Sequence, residues 1–304
     1  MEYIALPYDD VGRLDLSFGC RFEGNIFLKN KENFSMKFTY DHDLHIHSTC
    51  SKCCKDPEQT TANILEYAKK NKLTTICLTD HYWDSSVEGA SNWYKPQDFE
   101  HISCVLPLPQ ADGIRFLFGC ESEMDRNMTL GIPPERYDDF DFIIIPTTHM
   151  HMPFVREEDD DATPTCRARL WVKRLDAFLQ KDLPYHKIGI AHLACGLILS
   201  KGTREEYLQT LDLIPTAEAE RLFAKAAELG VGIELNKDDM TFEDHEAERV
   251  LRIFRIAKAA GCKFYLGTDS HDLGFFEDAS EIFARAIDLL DLQESDKFVL
   301  GKGK

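Results

Sequence analysis

From residue 40 onward, short apolar runs alternate with longer amphipathic stretches. The first run ends at His45–His47, and the others are 73–81, 114–121, 141–149, 187–193, 231–236 and 262–271. Apolar runs of this length are typical of buried parallel strands, and 73–81 is also rich in β-branched residues. Apolar residues spaced as on one helix face occur over 56–72, 167–181, 216–230, 243–261 and 278–290. Asp56 and Thr216 are the expected N-caps of the first and third helices, and Gly230 is expected to end the third.

Strands that alternate with helices predict an α/β fold with a parallel sheet, and about seven such units favour closure into a barrel. An open, doubly wound sheet is the alternative. The sequence has no GxGxxG motif after a strand, which disfavours a dinucleotide-binding domain. Residues 1–39 alternate only weakly and predict a β-hairpin extension, so we expect the main domain to span 40–304.

The composition fits a folded protein of 304 residues with 43% hydrophobic content. No apolar run approaches the ~20 residues that span a bilayer, and the N-terminus does not resemble a signal peptide. We therefore predict a cytoplasmic protein without a membrane partner, whose ten cysteines are reduced. The net charge of −18 argues against binding to long nucleic acids. The sequence does not indicate an oligomeric state.

Candidate metal ligands follow the predicted strands. In a βα barrel the carboxyl ends of the strands meet on one face, where active sites lie. In His-x-His the two imidazoles share one face of a strand. The residues at the strand ends are His45, His47, Asp80, His81, Glu121, His149, His192, Asp269 and His271.

Each position has a plainer interpretation when taken alone. Asp80 and Asp269 could cap turns, and His192 could be a hydrogen-bonded core residue. Glu123 competes with Glu121, and His151 competes with His149. Because the plain interpretations require independent coincidences at six strand ends, the full set predicts a metal site.

The motifs DLHIHS, LTDH, GCE, TTH, AHL and GTDSH occur in this order over residues 43–271. As a set they resemble the polymerase and histidinol phosphatase (PHP) family. That resemblance implies a distorted (βα)7 barrel, two or three divalent ions at the carboxyl ends of its strands, and hydrolysis of phosphate esters.

The resemblance also implies how the ligands are shared. His45, His47, Asp269 and Glu121 would hold one ion, and Glu121 would bridge to a second ion held by His149 and His192. His81 and His271 would hold a third. Where the family often has a further histidine, this chain has Cys53, which is either a thiolate ligand that favours zinc or a simple loop thiol. Asp80 is expected to orient a ligand.

A site of histidines and carboxylates suits Zn, Mn or Fe(II) better than Mg or Ca. Two such ions, roughly 3.5–4 Å apart, can share a hydroxide that attacks phosphorus. We predict Glu121, Asp269 and His271 as catalytic residues and a small anionic phosphomonoester as the substrate. Histidinol phosphate is a candidate because family members use it. His151, Arg156 and Lys237 are expected to support the ligands or contact the substrate.

The sequence leaves three other functions open. A phosphodiesterase or exonuclease could act on short nucleotides with the same ions. An amidohydrolase also uses His-x-His in a barrel, but the bridging lysine usual there is not evident at 141–149 or 187–193. A metal-stabilised binding module without catalysis would have no chemical need for so many converging ionisable groups.

Overall fold

The computed structural model describes residues 36–301, which contain eight β-strands and seven α-helices. The strands are β1 (His42–Ile46), β2 (Thr75–Leu78), β3 (His81–Tyr82), β4 (Arg115–Ser122), β5 (Phe142–Pro146), β6 (Ile188–Ala191), β7 (Gly232–Asn236) and β8 (Lys263–Gly267). The helices are α1 (Thr61–Lys70), α2 (Phe99–Ile102), α3 (Pro164–Leu179), α4 (Arg204–Asp212), α5 (Thr216–Leu229), α6 (Ala247–Ala259) and α7 (Ala279–Leu289).

Seven of these strands form one parallel sheet in the order β1, β2, β4, β5, β6, β7, β8. The two-residue strand β3 pairs with β4 beyond the end of β2. The carboxyl ends of β8 and β1 are joined by two hydrogen bonds, from Asp269 N to His45 O (2.7 Å) and from His47 N to Ser270 O (3.0 Å). The sheet therefore nearly closes, which confirms the predicted barrel over the open sheet.

The strands are apolar because helices cover the outer face of the barrel while its interior is filled. All five residues of β5 and all five of β7 are buried, as expected for parallel strands. Helix α5 buries Leu222, Phe223 and Ala226 on one face. It ends at Gly230, as predicted, where a φ of 75° suits a residue without a side chain.

The ends of two helices differ from the sequence-based expectation. Helix α1 begins at Thr61 with Thr60 as its N-cap, so the prediction that Asp56 caps it was wrong. The reason is Gln59, which is buried and donates from Nε2 to His47 O (3.0 Å), tying residues before the helix across the end of β1. Thr216 is the first residue of α5, and Pro215 precedes it as the cap.

Helix α4 was not predicted, although Thr203 and Glu206 form a capping box at its start. The predicted hairpin over residues 1–39 lies outside the described residues except for its last four. In the part that is described, Lys37 bridges antiparallel to Gln293. No helix in residues 36–301 is long and apolar enough to cross a membrane.

Candidate metal centre

The candidate ligands converge around the carboxylate of Glu121 at the carboxyl end of the barrel. Oε2 lies 2.9 Å from His81 Nδ1, 3.4 Å from His47 Nε2 and 3.6 Å from His45 Nε2. Oε1 lies 3.2 Å from His192 Nε2 and 3.8 Å from His149 Nε2. All six side chains are buried. Residues from five strand ends therefore meet at one carboxylate.

Two groups of potential ligands share Glu121. His45, His47 and Glu121 form the first, and Glu121, His149 and His192 form the second; the ligand atoms within each group lie within 4.8 Å of one another. In such groups the two oxygens of one carboxylate can face different ions. This division between the two groups is the one that the family resemblance implies.

Asp269 adds a second carboxylate beside the first group. Its Oδ1 lies 3.0 Å from His47 Nε2 and 3.3 Å from His45 Nε2. Asp269 has a φ of 55°, and His192 has a φ of 34°. A left-handed backbone is costly for residues with a Cβ and is often retained at functional sites. Two side chains of the cluster are thus held by strained backbone.

A third group consists of His47, His81 and His271. The rings of His47 and His271 stack at 4.2 Å between centroids. Cys53 lines the same cavity as His81 and His271 but belongs to none of the three groups. Burial raises the pKa of its thiol, and the nearby carboxylates of Glu121 and Asp269 raise it further.

The buried charges of the cluster compensate one another. Burial opposes ionisation of Glu121, yet the charges of His81 and His45 hold its pKa well below the usual range. For His47, burial also opposes the charged form, but Asp269 and Glu121 raise the pKa to about 9. Because metal ions compete with protons for the same lone pairs, divalent ions bound here would displace these protons.

Buried carboxylates behind the cluster orient the histidines. His45 Nδ1 donates to Glu234 Oε1 and His149 Nδ1 donates to Glu123 Oε2, both at 2.7 Å. Such bonds fix which imidazole nitrogen faces an ion. Sequence reasoning missed Glu234, and the available signal was an acid inside the apolar run of β7. The sequence suggested Glu123 only as an alternative ligand to Glu121. In the structure, Glu123 lies behind His149 and accepts a hydrogen bond from it.

Asp80 reaches His47 through a serine. His47 Nδ1 donates to Ser51 Oγ (2.8 Å), and Ser51 Oγ donates to Asp80 Oδ1 (2.6 Å). The other oxygen of Asp80 accepts from Ser48 Oγ at 2.7 Å. Asp80 is thus connected to the candidate ligand His47 through one intervening side chain, that of Ser51. Its bonds to Ser48 and Ser51 also anchor the loop that follows β1.

The two predicted cations lie away from the cavity. Arg156 Nε donates to Met150 O (2.5 Å), and its guanidinium pairs with Asp161 at 3.1 Å. Lys237 Nζ pairs with Asp278 at 2.6 Å and lies over the ring of Phe275. Neither residue lines the cavity beside the cluster.

That cavity has a volume of about 600 Å³. One side is the edge of the cluster, formed by Cys53, His81, His149, Asp269 and His271. The rest of the lining is largely apolar, formed by Trp93, Tyr94, Met152, Pro153, Phe154 and Leu197. His151 and Ser91 complete the lining. Burial lowers the pKa of His151 to about 4, so its imidazole is neutral at pH 7.

No protein-family model and no curated protein sequence matches the chain at a significant level. Solved structures that resemble it include the following two. A histidinol phosphate phosphatase from Lactococcus lactis, complexed with zinc, L-histidinol and phosphate, is 17% identical with a TM-score of 0.49, over 87% of this chain and 100% of the other. A protein from Listeria monocytogenes, described as a candidate histidinol phosphatase, is 11% identical with a TM-score of 0.53, over 78% and 97%. The second likeness shows that the chain has the same fold.

Proposed function

We propose that this protein is a metal-dependent phosphomonoesterase. The observation that carries the proposal is the convergence of six histidines and two carboxylates at the carboxyl end of the barrel, beside a cavity of substrate size. The ligand pattern matches the one that the PHP resemblance implies, and the fold is shared with the Listeria protein.

The side chains themselves fit metal ions. Three buried atoms of the cluster lack a hydrogen-bond partner among the described residues, namely His81 Nδ1, Glu121 Oε2 and His271 Nε2. The first two lie 2.9 Å apart without forming a hydrogen bond. Buried polar atoms without partners are costly, so a ligand that accepts their lone pairs would remove a penalty. A divalent cation does this.

His45, His47, Asp269 and Glu121 would hold one ion, and Glu121, His149 and His192 a second. His81 and His271 would contribute to a third, because the one inner lone pair of His47 would already be used by the first ion. The mixture of imidazole and carboxylate suits Zn, Mn or Fe(II). Such ions lower the pKa of bound water towards neutrality and neutralise charge on phosphate oxygens.

The protein's own side chains orient the candidate ligands. Glu234, Glu123 and Ser51 fix the outer nitrogens of three histidines, so the inner nitrogens stay directed at the cluster. We assign Glu121, Asp269 and His271 as the catalytic residues because each would touch an ion, and the last two also line the cavity. Within residues 36–301, Asp269 is the only carboxylate in that lining.

The substrate would be a small phosphate ester. A cavity of about 600 Å³ is in the range of sites that bind small molecules. The net charge of −18 also disfavours long nucleic acids. Histidinol phosphate is one candidate, suggested by the family resemblance and by the description of the Listeria protein.

The test is phosphate release by protein loaded in parallel with Zn, Mn or Fe(II), whose metal content is measured first. Asp269→Asn and Glu121→Gln should abolish turnover while circular dichroism remains unchanged. The matched control is Glu281→Gln, which neutralises an exposed acid on α7 and should keep full turnover. Protein that holds metal but releases no phosphate from any monoester would contradict the proposal and point to a binding module.

A further inference from the structure

We infer that the cavity selects phosphomonoesters whose leaving alcohol carries a flat, uncharged aromatic ring directly on the ester oxygen or one carbon away. This inference rests on the proposed phosphomonoesterase function and narrows its substrate class. In the reaction, water adds to phosphorus, the ester P–O bond breaks, and the leaving alcohol takes up the proton that the water gives up. The products are the aromatic alcohol and inorganic phosphate.

The apolar wall of the cavity is aromatic. The rings of Trp93 and Tyr94 pack edge to face with their centroids 4.8 Å apart. The ring centroids of Tyr94 and Phe154 are 5.8 Å apart. Trp93 and Phe154 are only partly buried, so surface of both rings remains free to meet a ligand. Aromatic rings prefer offset or edge-to-face neighbours. Such pairs contribute interaction free energy in addition to that of the apolar area that they bury. A ring in the cavity would extend this existing cluster.

The aromatic wall lies close to the metal edge, which limits the length of the substrate. The ring centroids of His81 and Trp93 are 4.9 Å apart with the planes at 72°. His81 is a candidate ligand, so a phosphate held by the ions would sit beside Trp93. A ring that is separated from the ester oxygen by a long chain would extend beyond Trp93 and would not contact it.

The charges of the lining argue for an uncharged leaving group. The lining contains no Lys or Arg among the described residues, so a second phosphate would find no cation away from the ions. Its only carboxylate, Asp269, already faces His47 at 3.0 Å and His45 at 3.3 Å. An ammonium such as that of histidinol phosphate would therefore be desolvated without a free partner, which is costly.

The wall also offers a polar group to the ester side. His151 Nδ1 is buried and lacks a hydrogen-bond partner in residues 36–301. Its ring lies 5.6 Å from the ring of His149, a candidate ligand. This unpartnered nitrogen can form a hydrogen bond at the oxygen of a leaving alcohol.

The test compares benzyl phosphate with n-propyl phosphate. Both leave as primary alkoxides of similar basicity, so a difference in kcat/KM reports the ring and not the reactivity of the ester. We expect benzyl phosphate to be preferred by about tenfold or more, which corresponds to ~1.4 kcal/mol of binding to the aromatic wall. Histidinol phosphate and glucose 6-phosphate should both fall below benzyl phosphate.

Trp93→Ala should reduce the ratio of the two kcat/KM values at least severalfold, and Trp93→Phe should restore most of it because a flat ring returns. The control is Leu213→Ala, an exposed apolar residue outside the cavity, which should leave the ratio unchanged. A binding readout independent of turnover is calorimetry with benzylphosphonate and propylphosphonate, in which the aromatic ligand should bind more tightly to wild type.

The outcomes separate the two proposals. If no ester is hydrolysed, the proposed function fails. If all esters are hydrolysed with equal kcat/KM, or if Trp93→Ala keeps the wild-type ratio, the phosphomonoesterase stands and the aromatic selection is overturned. Tighter binding or faster turnover of histidinol phosphate than of the benzyl compounds would likewise overturn it.

Discussion

The carboxylate of Glu234 accepts a hydrogen bond from His45 Nδ1 at 2.7 Å. Both side chains are fully buried, and the second oxygen of Glu234 accepts the backbone N–H of His192, also at 2.7 Å. One glutamate on β7 thus connects a histidine at the end of β1 to another just beyond β6. Since these two histidines belong to different ligand groups, Glu234 acts on both ion positions.

The first prediction concerns Glu234→Gln. A glutamine cannot accept from both neighbours, because its amide nitrogen would oppose the N–H of either His45 or His192. We expect metal affinity to fall by about 10- to 100-fold, as is typical when a carboxylate behind a histidine ligand is lost. Competition between the protein and a coloured zinc indicator measures the change. Unchanged affinity, equal to that of the Glu281→Gln control, would contradict the orienting role.

How far the sequence predicted this site depends on the type of residue. The candidate ligands could be found because barrel topology places all strand ends on one face, so that residues far apart in sequence converge. Glu234 could not be found in this way, since nothing in the run GIELN indicates which neighbour an inward-facing acid meets. Its partner is 189 positions away in the chain.

The aromatic wall could not be predicted from the sequence either. Trp93 and Tyr94 lie in an irregular connection between β3 and α2, where no periodicity indicates which side chains turn inward. The predicted start of α1 was wrong for a related reason. The sequence signal at Asp56 and Pro57 is outweighed by the tertiary contact of Gln59 with the end of β1. Local patterns placed the elements, and contacts between distant loops decided their ends.

The second prediction concerns metal removal. Ions that bind only the folded protein stabilise it by ~2.7 kcal/mol when their concentration is 100 times the dissociation constant. At ~2–4 °C per kcal/mol for a domain of this size, EDTA should lower the melting temperature by about 5–10 °C. Differential scanning fluorimetry measures the shift, and EDTA saturated with zinc is the control. The Glu121→Gln variant should respond much less, and an equal response would argue against ions at this cluster.

The third prediction concerns Cys53. Burial and two carboxylates raise the pKa of its thiol, and its sulfur lies outside the three ligand groups. We therefore expect the cobalt-substituted protein to show no intense near-ultraviolet band from a thiolate ligand, and Cys53→Ser to bind the same number of ions as wild type. Cys104→Ser, which removes an exposed thiol, is the matched control. A band that Cys53→Ser alone abolishes would establish Cys53 as the thiolate ligand of a third ion.

The fourth prediction concerns Arg174, which is fully buried on α3. Its Nη2 lies 3.0 Å from Glu123 Oε1, and its Nε donates to Thr147 O at 2.9 Å. Removing one partner of a buried pair leaves the other charge uncompensated, at a cost of ~3–5 kcal/mol. Arg174→Met should lower the free energy of unfolding in urea by about this amount.

Arg221→Met is the control, because Arg221 pairs with Glu218 on the surface, where such pairs contribute ~1 kcal/mol or less. The double variant Arg174→Met with Glu123→Gln should cost less than the sum of the single changes, since it removes both charges. Glu123 also accepts from His149 Nδ1 at 2.7 Å, so the double variant should still bind metal more weakly than wild type. If Arg174→Met costs no more than the surface control, the buried pair does not stabilise the fold.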